Sequence, residues 1–145
     1  MHKIVLIVIM LMMSQISHAD ELSIALGSKH LMDSGFLRNE EFNEFNPGIS
    51  YHFSKPNIEV GTFLNSYDAN TFYISRHWDT RFLRINYGIA RYDNFDWDGG
   101  VAYIPLVHFS KDINIFRIGY IPALAGNDRG YLYGILTLQL TFDIN

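Results

Sequence analysis

The sequence predicts an all-β fold in which eight antiparallel strands close into a transmembrane barrel, and three observations carry that expectation. Eight segments have strand character, 22–29, 48–53, 58–65, 71–78, 82–92, 100–110, 113–121 and 131–144, and an even number is what single-chain bacterial barrels have. The connections between them alternate between long and short in strict succession. Charged residues make up 18% of the chain, below the roughly 25% of soluble domains.

The first nineteen residues stand apart from these strands. His2 and Lys3 give a basic start, Ile4 to Met13 is an unbroken apolar run, and Ser17-His18-Ala19 closes it with small residues beside a cleavage point. That is the pattern of a secretory signal peptide, and the apolar run is too short for a membrane helix, which takes about 20 residues. The expected organisation is a leader over 1–19 and one β-barrel domain over 20–145. The chain has no cysteine, so an exported domain of this size has no disulfide to supplement a small core.

Alternation is cleanest in the last segment, where Leu136, Leu138, Leu140, Phe142 and Ile144 share one face and Thr137, Gln139, Thr141 and Asp143 the other. The fifth repeats it, with Leu83, Ile85, Tyr87 and Ile89 opposed by Arg84, Asn86, Gly88 and Ala90. A lipid face and a lumen face read this way, although a soluble β-sandwich also alternates. Loop lengths decide between the two. The connections 31–47, 93–99 and 122–130 are long and 66–69 is moderate, whereas 54–57, 79–81 and 111–112 are short. Outer-membrane barrels pair long outer loops with short periplasmic turns, which puts both termini in the periplasm and the long loops outside. Arg76 falls on the apolar side of its strand and fits there by extending its head to the periplasmic rim. Trp78, Trp97, Tyr67, Tyr73 and Tyr92 lie near strand ends, where aromatic girdles meet headgroups.

Topology sorts the chemically capable residues. His30 ends the first strand and Ser66 follows the third, so both belong to the outer rim, as base and nucleophile or as base and orienting hydroxyl if the barrel brings them together. Simple solvation of both is the alternative. His108 and Ser110 form a His-x-Ser pair on one face of the sixth strand, the arrangement used by lipid A deacylases of the PagL type, but next to a periplasmic turn. Pro105 interrupts the sixth strand, Pro122 ends the seventh and Pro47 opens the second. Proline gives a ladder no N–H, so these positions either sit harmlessly near strand ends or open gaps through which a lipid chain passes. The histidines are scattered and have no metal-ligand spacing. Asp93, Asp96 and Asp98 lack the frame of a calcium loop, so no metal and no cofactor are expected. A net charge of −4, without a basic cluster, excludes nucleic acid as a partner.

Five stretches of the chain fall in order along these strands: Phe42-Asn43-Glu44 ahead of Pro47-Gly48, Phe63-Leu64-Asn65-Ser66-Tyr67, Asp93-Asn94-Phe95, Tyr103-Ile104-Pro105-Leu106 and Tyr120-Ile121-Pro122. In order and spacing they resemble the PagP family, outer-membrane enzymes that transfer a palmitoyl chain from a phospholipid to lipid A. The resemblance runs from His30 to Phe142. It implies an acyltransferase in the outer membrane of a Gram-negative bacterium, a monomer whose partners are membrane lipids, a phospholipid donor and a lipid A acceptor. It further implies that His30, Asn65 and Ser66 match the catalytic residues, that Pro47, Pro105 and Pro122 match the lipid-access prolines, and that His77 stands at the floor of the acyl pocket. Three departures accompany it. Asn65 replaces an aspartate and cannot ionise, His77 replaces a glycine and would shorten or wet the pocket, and the family's N-terminal amphipathic helix has no counterpart. The alternatives to an acyltransferase are a non-catalytic barrel, structural or surface-binding, and a deacylase using His108 and Ser110.

Overall fold

The computed structural model describes residues 20–32, 43–94, 99–122 and 132–144. The expected leader, and Asp96 and Asp98, lie outside these residues. Eight strands follow one another: β1 (Asp20–Met32), β2 (Gly48–Phe53), β3 (Ile58–Leu64), β4 (Asn70–Asp79), β5 (Arg84–Asp93), β6 (Val101–Ile113), β7 (Phe116–Pro122) and β8 (Leu132–Ile144). Each pairs antiparallel with its neighbour in sequence, and β1 pairs with β8, so the sheet closes. The all-β, eight-stranded antiparallel barrel read from the sequence is the fold observed.

Its inside and outside are inverted relative to a water-soluble domain. Ala90 is the single buried hydrophobic residue among the described ones, while Glu21, Glu59, Arg84 and Arg117 are each no more than 8% exposed. Ile74, Ile89, Ile118, Leu136, Leu138 and Phe142 are all exposed on the outer wall. In water the reverse is the rule. The pattern is compatible with a wall set against hydrocarbon, and closure suits the same setting because it leaves no open sheet edge.

Most strand boundaries shift from the expectation by one to three residues, and three of the shifts are informative. The turn between β6 and β7 is not at 111–112; the last pair is Ile113↔Phe116, and Asn114 takes φ 57° in the two-residue turn. Asparagine favours that left-handed conformation in tight hairpins, and Asp112 is instead a strand residue whose carboxylate reaches Arg117 Nε at 2.6 Å. β5 begins at Arg84 rather than at 82, because Thr80 closes the preceding turn: its N–H donates to the Leu83 carbonyl at 2.9 Å and its Oγ1 accepts from Leu83 N at 3.1 Å. β1 runs on to Met32, paired with β8 except at Leu26.

Two seams in the wall are shorter than the rest. The β1–β2 ladder stops at Ala25↔Gly48, although β1 continues for more than another turn of side chains. The β6–β7 ladder covers only Phe109↔Tyr120 to Ile113↔Phe116, so among the described residues Val101–His108 have no partner on β7. By contrast β5–β6 is continuous from Arg84↔Ser110 to Asp93↔Val101. Both seams part toward the end that carries the long connections, the loop end.

The opposite, turn end is closed from inside by an ionic cluster. Glu21 of β1 accepts from Arg117 Nη1 at 2.7 Å and Nη2 at 2.8 Å, a bidentate fork, and from Arg84 Nη1 at 3.0 Å. Asp112 holds the Nε of Arg117, and Asp79 holds that of Arg84 at 2.8 Å. Arg117 is 1% exposed, so removal of one member strands its partners in a dry site. Arg117→Ala is expected to cost about 3–5 kcal/mol, measured by urea unfolding from phospholipid vesicles. The double variant Arg117→Met with Glu21→Gln is expected to recover much of that loss, because Arg84 keeps Asp79 and the half-exposed Asp112 returns to water.

Candidate functional site

A single irregularity of β1 brings His30 into the rim. Up to Ala25 the odd-numbered residues face the lumen, and Glu21 and Ser23 are buried. The register then slips: Ala25 pairs with Gln139 but Gly27 with Leu138, which leaves Leu26 as the extra residue of a β-bulge. Beyond the bulge the even-numbered residues face inward, so His30 is buried while Lys29 is exposed. Without that slip His30 would lie on the outer wall.

Ser66 is placed by Asn65. The Asn65 side chain accepts from Tyr67 N at 2.9 Å and Ala69 N at 3.1 Å, and donates to Thr71 Oγ1 at 3.2 Å and the Asp93 carbonyl at 2.9 Å. Two donated and two accepted bonds are the full capacity of an amide. The loop folded around it sets Ser66 Oγ 2.9 Å from His30 Nε2, in hydrogen-bond contact. A second brace comes from 43–47: Asn43 N donates to the Ser66 carbonyl at 3.2 Å, and the Glu44 carbonyl accepts from Ser28 N at 2.9 Å. That segment spans the top of the β1–β2 seam.

Below Ser66 the lumen opens into a cavity of about 110 Å³, far above the roughly 10–15 Å³ that one water needs. Its upper wall is mostly apolar, with Phe63, Tyr92, Leu106, Ile121 and Ile135. Its floor is polar. Glu59 accepts from Tyr73 Oη at 2.7 Å and from Asn86 Nδ2 at 3.1 Å, and His108 Nε2 contacts Thr137 Oγ1 at 2.9 Å. Glycine makes room for the two floor rings. A Cβ on Gly61 would come within 2.6 Å of the Tyr73 ring, and one on Gly119 within 1.8 Å of His108 Nε2.

The other residues singled out in the sequence fall as follows. Asn65 lies beside Ser66, with its amide committed to the loop. His77 faces the lumen one layer below the cavity floor, 3.2 Å from Asp79 Oδ2 and with its ring 4.1 Å from that of His52. Pro47 immediately precedes β2 at the first seam, while Pro105 and Pro122 lie on the two strands of the second. His108 and Ser110 both face inward, but Ser110 Oγ has no hydrogen-bond partner among the described residues, so the two are not joined as base and nucleophile. No group of three metal-ligating side chains exists among the described residues. Tyr73 and Tyr92, expected in an aromatic girdle at the headgroups, instead line the cavity, since Tyr73 shares the inward parity of the buried Thr71 and Ser75; the floor residues Glu59 and Asn86 were not singled out as site residues. Their signal was present in the parity of β3, where Glu59 alternates with Ile58 and Val60 on the lumen side.

Asn65→Asp exchanges two donors for a carboxylate facing the Asp93 carbonyl. The expected loss is about 1–3 kcal/mol in the same unfolding assay, accompanied by a shift of the His30 ring resonances as Ser66 moves.

In the comparisons with known proteins, no family model matches the chain, no curated protein matches it, and no solved structure does.

Proposed function

We propose that the protein is an outer-membrane acyltransferase of the PagP kind, moving an acyl chain from a phospholipid to lipid A in the outer leaflet. The observation that carries this reading is the His30–Ser66 contact of 2.9 Å at the mouth of a cavity with apolar walls. A phospholipid chain enters laterally at the seams marked by Pro47, Pro105 and Pro122 and lies against Phe63, Leu106 and Ile135. The donor ester then rests at the rim. His30 takes the proton from the lipid A hydroxyl as that oxygen attacks the ester carbonyl, and returns it to the departing glycerol oxygen. Ser66 positions the ester. Asn65 contributes by holding the loop, since an amide cannot act as the counter-charge of an imidazolium. The polar layer beneath the cavity, with His77 below it, favours a chain that ends above Glu59.

Expression in a Gram-negative host lacking its own lipid A palmitoyltransferase, followed by mass spectrometry of lipid A, tests this reading. The expected product carries one added acyl mass, lost by at least a hundredfold in Ser66→Ala and in His30→Ala. Unchanged lipid A in cells that contain the folded barrel overturns it, and a lost acyl mass points to deacylation instead. The membrane setting has its own test. Ile89, exposed in the middle of β5, should tolerate Arg poorly: Ile89→Arg is expected to cost about 2–4 kcal/mol near the bilayer midplane, read from folding into phospholipid vesicles. On a water-facing surface the same change stays within about 0.5 kcal/mol.

A further inference from the structure

Two buried acids in the lumen are treated differently. Glu21 is held by two guanidinium groups. Glu59, 2% exposed, makes no ion pair among the described residues, and its hydrogen bonds come from two neutral donors, the Tyr73 hydroxyl at 2.7 Å on Oε1 and the Asn86 amide at 3.1 Å on Oε2. A carboxylate offers about four acceptor positions, so each oxygen keeps a lone pair. Glu59 also lines the cavity, beside the rings of Phe63, Tyr73 and Tyr92. A charge left in this condition is costly unless something pairs with it.

The surroundings specify what that partner is. Above Glu59 stand three aromatic rings that line the same cavity, Phe63, Tyr73 and Tyr92. The Phe63 centroid lies 6.1 Å from that of Tyr73 and 6.0 Å from that of Tyr92, so the rings form one cluster over the floor. Aromatic faces attract cations, and more strongly where water is excluded. A carboxylate with unused lone pairs beneath aromatic rings, reached through an apolar channel, suits a primary ammonium carried on a hydrocarbon stem. The N–H groups complete Glu59 and the stem lies along Leu106, Ile121 and Ile135. A hydrocarbon end alone leaves the carboxylate short of partners, and a quaternary ammonium has no N–H to give it.

We propose that the lower cavity is a binding site for a small primary alkylammonium ion, with Glu59 as its counter-charge and hydrogen-bond acceptor and Phe63, Tyr73 and Tyr92 as its aromatic walls. The stem lies against the same walls that the acyl chain takes in the proposed transfer, so the two occupants compete for one cavity, but amine binding is read without the lipid A assay. The experiment titrates n-hexylammonium, 1-hexanol and hexanoate into the full barrel folded in a non-ionic detergent, with binding followed by calorimetry and by the aromatic proton resonances of the floor. Hexylammonium is expected to bind at least tenfold tighter than hexanol, and hexanoate more weakly than either. In Glu59→Gln the preference for the amine should shrink to less than twofold. Equal affinity for amine and alcohol, or a preference that survives Glu59→Gln, overturns the proposal. Should Glu59→Gln fail to fold, Phe63→Leu removes a ring and leaves the floor hydrogen bonds. It is expected to weaken the amine at least threefold with hexanol unchanged, and an unchanged amine affinity overturns the proposal equally.

Discussion

The grip of Arg117 and Arg84 on Glu21 is the constraint from which the rest of the interior follows. With apolar side chains turned outward, the wall gains little from packing against itself, and the specific contacts that hold eight strands in one arrangement must lie in the lumen. One carboxylate from β1, bound at 2.7–3.1 Å by guanidinium groups from β5 and β7, ties together strands far apart in sequence. Asp112 and Asp79 then align the two arginines. The result is a plug. The turn end is shut to passage, and whatever the lumen holds must enter from the loop end or through the wall.

The interior is therefore layered. Charged groups fill the turn end, a row of neutral and acidic hydrogen-bonding groups around Glu59, Asn86 and His108 comes next, and apolar side chains line the upper part below the His30–Ser66 rim. The wall is layered to match. Its ladders are complete beside the ionic plug and incomplete beside the cavity, at β1–β2 and β6–β7. Unpaired backbone costs several kcal/mol per group in hydrocarbon, so a barrel that parts its strands only where the interior is empty spends that cost next to the cavity.

Much of this was legible in the sequence because it rests on a period of two. Alternation in 131–144 and 82–92 gave the two faces, and loop lengths gave the up-and-down order. What was not legible depends on breaks in that period or on contacts across the lumen. The hairpin at Asn114 was hidden because Lys111 and Asp112 look like a polar turn, whereas Asp112 is polar for the sake of Arg117 across the ladder. Glu59 keeps the period on β3, but its role in the floor comes from Tyr73 and Asn86, contacts across the lumen that the period does not show. Asn65 read as a defective acid; its four hydrogen bonds show an amide doing what a carboxylate could not, since it donates as well as accepts.

The bulge at Leu26 illustrates how such an interior can change over time. Because the extra residue shifts parity, the part of β1 above it has its inward and outward residues assigned independently of the part below. Losing one codon between the bulge and Lys29, with the bulge itself kept, would leave the ionic plug in register and present Lys29 to the lumen in place of His30, with no substitution at either position. For a barrel of this kind, insertion and deletion, rather than point substitution, are the shortest routes by which a rim residue is recruited to the interior or released from it.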